Sequence, residues 1–164
     1  MVELRKVTFG NYNKVLQLKP EEYQKEYVED ISTTLALAYA GINEKCPGEL
    51  CIIYYENEPV GVILVGRSEI GEQEPKVLKK YKFVYRFIGF FIDYKYQNKG
   101  IGKKAFKLAL DKVKAYPDGE YLPIALEVKV ENANAIKLYE SFGFHDSGIR
   151  YGDDCAFIRL PQNN

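Results

Sequence analysis

Three observations predict an α/β domain: seven segments with strand character, four with helical periodicity, and a glycine-bearing loop where a long aromatic strand passes into an amphipathic helix. At 164 residues the chain can build one substantial core and has no length for a second, so residues 1–164 read as a single domain. Its 23 basic and 23 acidic side chains cancel, removing the long-range field that nucleic-acid binders use. No nucleic-acid partner is expected. The run Met1 to Lys6 has no apolar signal core, and the apolar stretches Pro59 to Val65 and Phe87 to Ile92 are far too short to span a bilayer. The chain reads as cytoplasmic, with no membrane partner. Cys46, Cys51 and Cys155 are odd in number and lack paired metal spacing, which suits small buried hydrophobes in a reducing compartment and no metal site. His145 is the lone histidine, so Ser-His-Asp and Cys-His hydrolase chemistry has no local motif to build on.

Residues 3–8 read as a first strand, and Asn11 to Leu18 as a short helix stopped before Pro20. A second helix is expected from about Glu22 to Ala40, with Glu21, Glu22, Glu26, Glu29 and Asp30 making its first half acidic and Leu35, Ala38, Tyr39 and Ile42 forming an apolar tail. Leu50 to Tyr55 and Val60 to Gly66 form a hairpin about Glu56-Asn57-Glu58-Pro59. Arg67 to Lys80, polar and carrying Gly71 and Pro75, reads as a flexible loop. Tyr81 to Asp93 is a long strand in which Gly89 signals a bulge or a close approach to the backbone. Beyond it, Ile101, Ala105, Leu108 and Ala109 share a helical stripe that ends near Tyr116-Pro117-Asp118-Gly119. Ile124, Leu126, Val128 and Val130 then alternate with Ala125, Glu127 and Lys129 as in a strand. Asn132 or Asn134 starts the last helix, whose Ala135, Leu138, Tyr139 and Phe142 share one side and whose C′ residue is Gly143. A closing hairpin, 144–151 and 154–160, turns at Gly152-Asp153.

The loop Tyr94 to Gly102 carries the chemistry. A helix start exposes unpaired N–H groups and the positive end of the macrodipole, Gly100 and Gly102 keep the approach clear, and Lys99, Lys103 and Lys104 add positive charge. It is a cradle for a pyrophosphate. Gly100-x-Gly102-x-x-Ala105 fits the dinucleotide fingerprint loosely, but six residues separate it from its strand and too few strand-helix units surround it. The P-loop ending Gly-Lys-Ser/Thr is absent.

Ile92-Asp93-Tyr94-Lys95-Tyr96-Gln97-Asn98-Lys99-Gly100-Ile101-Gly102 resembles the acetyl-CoA motif of the GNAT N-acetyltransferase superfamily. Leu126-Glu127-Val128, Asn132, Ala135-Ile136 and Leu138 to Phe144 resemble its second block, in the right order and spacing. The resemblance implies a mixed, mostly antiparallel sheet of about seven strands, splayed between the fourth and fifth and flanked by about four helices. It also implies acetyl-CoA as co-substrate. Amides of Gln97, Asn98, Lys99, Gly100, Ile101 and Gly102 would hold the pyrophosphate, with Lys103 beside them, and Phe91 and Ile92 would pair with the pantetheine arm. Asn132 matches a residue that touches that arm, and it also suits an ordinary helix cap.

Acetyl transfer to an amine needs a proton taken from nitrogen, a polarised carbonyl and a proton given to the departing thiolate. Within the resemblance, Glu127 matches the general base of ribosomal-protein alanine acetyltransferases and Tyr139 the proton donor, while a strand N–H such as that of Ile92 would meet the oxyanion. Glu127 also suits a solvated strand face, and Tyr139 also suits packing. Direct transfer in a ternary complex follows, rather than an acyl-cysteine.

The N-terminal half, with Tyr23 to Glu29 and the run Phe90-Phe91-Ile92-Asp93, resembles bacterial spermine/spermidine acetyltransferases. That implies a small-molecule amine acceptor, with Tyr27 and Glu29 in its site and carboxylates at 22, 26, 29, 30, 69, 72 and 74 lining an acidic cleft. Ile88 and Gly89 replace the carboxylate such enzymes often carry there. Peptide N-termini, other small amines and a non-catalytic acyl-CoA sensor therefore remain as alternatives, and a homodimer is left open.

Overall fold

The computed structural model describes residues 1–18, 20, 25, 27 and 30–162. Seven strands form one sheet in the order β1-β2-β3-β4-β5-β7-β6: β1 Val2–Lys6, β2 Gly48–Tyr55, β3 Glu58–Glu69, β4 Phe83–Ile92, β5 Ile124–Lys129, β6 His145–Tyr151 and β7 Asp154–Arg159. Every neighbouring pair is antiparallel except β4 and β5, which run parallel and pair only at Tyr85↔Ile124 and Arg86↔Ala125. Beyond Arg86 the two strands separate, as expected. Four helices flank the sheet: α1 Tyr12–Gln17, α2 Ile31–Asn43, α3 Ile101–Lys114 and α4 Ala133–Glu140.

Alternating strand residues divide the core between the two faces. On one face Phe106 of α3 sits at the centre, its ring 5.1 Å from Phe87 of β4, 5.1 Å from Tyr139 of α4 and 5.2 Å from Phe142. Truncating it to alanine should cost about 3–5 kcal/mol. On the other face Val15, Leu18, Ile31 and Leu35 of the α1–α2 region cover Ile52, Val62, Leu64 and Phe91.

Several boundaries differ from the sequence expectation. The second helix begins at Ile31 rather than Glu22, because Asp30 is extended and its carboxylate accepts from the Ser32 N–H at 2.7 Å, an N-cap that fixes the start. Lys25 and Tyr27 lie in turns, while the expected acidic positions 21, 22, 26 and 29 fall outside the described residues. In its tail Leu35 and Ala38 pack inward, but Tyr39 and Ile42 are 68% and 70% exposed. The hairpin turns tightly at Glu56 and Asn57, both with positive φ, so Pro59 belongs to β3. Residues 67–69, expected in a loop, continue β3 against Phe83 to Tyr85 of β4. The rest of that loop is tied down, with Leu78 buried and Lys79 Nζ donating to the carbonyls of Gly71 and Glu72. Phe106, Leu110 and Val113 join Ile101, Ala105 and Ala109 on the buried stripe of α3, and Leu108 lies at its margin. Val130, expected on the apolar side of the fifth strand, lies past its end and is exposed.

Candidate active site

The parting of β4 from β5 opens a cleft of about 1440 Å3 through the sheet. Its rim at the end of β4 is made locally. Asp93 caps the short turn Tyr94–Tyr96, and the Gln97 side-chain amide donates to the Ile92 carbonyl at 2.8 Å, holding the loop against the strand it leaves. Asn98 and Gly100 take left-handed φ values of 57° and 71°. A Cβ on Gly100 would meet nothing within 4 Å, so glycine is there for its backbone freedom.

Gly100 is the N-cap of α3 and gives it no side-chain cap, and no acidic residue stands in the first turn. The first backbone bond of the helix runs from Lys104 N–H to Gly100 C=O, leaving Ile101, Gly102 and Lys103 with N–H groups free of intrahelical partners. This helix start can hold a pyrophosphate. Gln97, Asn98 and Gly102 line the cleft beside it, while Lys99 and Lys103 are exposed at its edge.

Glu127 and Tyr139 reach the same cleft from opposite faces of the sheet. Leu126 and Val128 point into the core under α3 and α4, so Glu127 between them points to the α2 side. Tyr139 stands on α4, 7% exposed, with its ring against Phe106 and Phe144. Burial pushes its phenol above the ordinary tyrosine range and keeps it protonated at neutral pH. Asn132 caps α4, its side chain accepting from the Ala135 N–H at 3.1 Å, and lines the cleft as well. Phe91 and Ile92 end β4 on its wall.

The α2 side of the cleft holds residues that the sequence did not single out. Pairing of Arg86 with Ala125 and of Lys129 with Asp154, itself opposite Tyr151, sets Arg86, Glu127, Lys129, Asp154 and Tyr151 on one face. The segment 71–74 lies over them: Glu74 pairs with Arg86, which also donates to Ser68 Oγ at 2.9 Å, and the Tyr151 hydroxyl donates to the Gln73 carbonyl at 3.2 Å. Burial, then the charges of Glu74 and Glu127, raise the Tyr151 phenol, with Arg86 opposing them. Among the described residues Asp30, Glu72, Glu74, Glu127, Glu131 and Asp154 line the cleft against two cations, Arg86 and Lys129, each of which is paired to a carboxylate. Negative charge is in excess. Of the expected acidic lining, Asp30, Glu72 and Glu74 take part, and Glu69 faces Lys82 instead. Tyr27 lines the cleft, whereas Glu29 lies outside the described residues. Only strand register could have revealed Arg86, Tyr151 and Asp154.

A sheet parted between two parallel strands, with an uncapped helix start at the mouth of the gap, is the architecture of an acyl-CoA N-acyltransferase. Residues 12–144 match the model of the acetyltransferase (GNAT) family, and the chain belongs to that family as an acetyl-CoA-dependent N-acetyltransferase. It is similar to the spermine/spermidine N(1)-acetyltransferase of Bacillus subtilis, 29% identical over 147 residues and 90% of both chains. The fold is shared with the spermidine N-acetyltransferase of Vibrio cholerae in complex with CoA and spermine, at TM-score 0.64, 20% identity and coverage of 98% and 95%. It is shared equally with Arabidopsis thaliana Naa50 bound to a bisubstrate analogue, at TM-score 0.65, 20% identity and coverage of 96% of each chain. Among the described residues no group of side chains could hold a metal ion, and no helix is long and apolar enough to cross a membrane.

Proposed function

We propose that this enzyme acetylates a polyamine such as spermidine or spermine, by direct transfer within a ternary complex and with residues 1–164 acting as one domain. The observation that carries the reading is the excess of carboxylates on the α2 side of the cleft, which attracts a flexible polycation. The 29% identity to the Bacillus subtilis enzyme supports it.

Backbone amides from Asn98 to Gly102 bind the coenzyme's diphosphate, the Gln97 N–H expected to join them being already donated to the Tyr94 carbonyl at 3.1 Å; Lys99 and Lys103 screen its charge, and Phe91, Ile92 and Asn132 flank the pantetheine arm. The coenzyme supplies an activated acetyl thioester. Glu127 takes the proton that the amine nitrogen loses as it bonds to the acetyl carbon, directly or through water. A main-chain N–H at the end of β4, that of Ile92, meets the oxygen's developing charge. As the carbon–sulfur bond breaks, Tyr139 gives its proton to sulfur and recovers one from solvent, so an amide and a thiol leave and Glu127 sheds its proton. Burial keeps the Tyr139 phenol neutral, so its proton is in place when the thiolate forms, but the same burial makes it a weaker acid than an ordinary tyrosine, and transfer depends on the negative charge that develops on sulfur.

CoA release should be measured with spermidine, spermine, small monoamines and short peptides. Turnover with the polyamines is expected; turnover with peptides alone would reject the acceptor while leaving the acetyltransferase standing.

A further inference from the structure

Thr34, 2% exposed, is the one buried side chain among the described residues whose polar atom, Oγ1, has no hydrogen-bond partner. A buried hydroxyl left in that state destabilises the protein unless something engages it. Its surroundings point to what does. Thr34 lies on α2 one helical turn from Asp30 and one from Leu37, and both of those line the cleft. Its side chain rests on Gly89, which also lines the cleft and interrupts the β3–β4 register with φ of 61°. A Cβ built on Gly89 would stand 2.4 Å from Thr34 Oγ1 and 2.9 Å from its Cγ2, so the threonine occupies the space that any side chain at 89 would need. Gly89 thereby brings a hydroxyl to a strand that walls the cleft.

We propose that Thr34 is an acceptor-binding residue whose Oγ1 accepts an N–H of the incoming amine. The inference rests on the amine-acetylating function proposed above. The attacking nitrogen carries more than one hydrogen: Glu127 removes one, and another needs an acceptor inside a site that excludes water. Gly89 lies two residues before Phe91, the first of the positions proposed to flank the pantetheine arm. Thr34 itself is covered by Gly89 and does not line the cleft of the free enzyme, so the amine must reach Oγ1 beside Gly89, which does.

Thr34→Val keeps the shape and removes the hydroxyl, and Thr34→Ser keeps the hydroxyl. Steady-state kinetics with spermidine and with a short peptide, acetyl-CoA affinity by calorimetry and thermal melts of the full chain test the idea. For Thr34→Val the expected result is a KM for the accepted amine raised about three- to tenfold, an unchanged acetyl-CoA Kd and a melting temperature raised by about 2–4 °C, since an unsatisfied group is gone from the free enzyme. Thr34→Ser should keep the wild-type KM. An unchanged KM in Thr34→Val, or a lowered melting temperature, overturns the proposal. If the wild type acetylates none of the amines, both readings fall; if it acetylates one and only the Thr34 variants behave as wild type, this one alone does.

Discussion

The two ends of the cleft are built in different ways. The proposed coenzyme end is made from five consecutive residues, Asn98 to Gly102, whose useful groups are backbone amides. The proposed acceptor end is made from side chains at 30, 74, 86, 127, 151 and 154, brought together by strand register and by the segment folded over it. The first kind of site tolerates side-chain change but not loss of the helix start. The second can be retuned one residue at a time.

Substitutions at the two ends should separate along this line. Glu127→Gln is expected to lower kcat by about 10²–10⁴, with acetyl-CoA affinity intact, in a CoA-release assay. Unchanged turnover would assign the base elsewhere. Tyr139→Phe should lower kcat by about 10- to 100-fold, less than loss of the base because a thiolate is already a fair leaving group. Gly102→Asp should fit sterically, since a Cβ there meets only Ile92 and Phe90 at 3.7 and 3.9 Å, yet it sets a carboxylate on the phosphate-facing helix start. Calorimetry should then show acetyl-CoA bound about 10- to 100-fold more weakly, with little change in melting temperature. At the acceptor end Glu72→Gln removes one exposed charge, and the spermidine KM should rise only about two- to threefold, a difference that salt erases.

Tyr139 also links the site to stability. Burial raises its folded-state phenol above the unfolded value near 10, so the unfolded chain ionises first and the stabilisation, complete below that pH, is lost as pH climbs toward the folded value. Tyr85 behaves alike, raised by burial and by its hydrogen bond to Asp118 at 2.7 Å. Melting curves above pH 10 should therefore fall less steeply for Tyr139→Phe than for the wild type, without becoming flat, because Tyr85 remains.

Sequence alone determined whatever depends on neighbouring residues. The glycine loop, the Asn132 cap, the final hairpin turn and the alternation that isolates Glu127 all arise from local backbone preference and two- or four-residue periodicity, and each was legible. The start of α2 was misjudged because a run of glutamates favours a helix, whereas the Asp30 side chain instead closes a cap on Ser32. Tertiary structure alone decided the acceptor wall. Nothing near Arg86, Tyr151 or Thr34 in the chain names its partner, since the pairing of Arg86 with Glu74, of Tyr151 with Gln73 and of Thr34 with Gly89 exists only after strands and helices have closed distances of 12 to 78 residues. Local preferences act over a few residues, whereas the sheet's register sets which distant side chains share a face, and the proposed amine site lies on such a face.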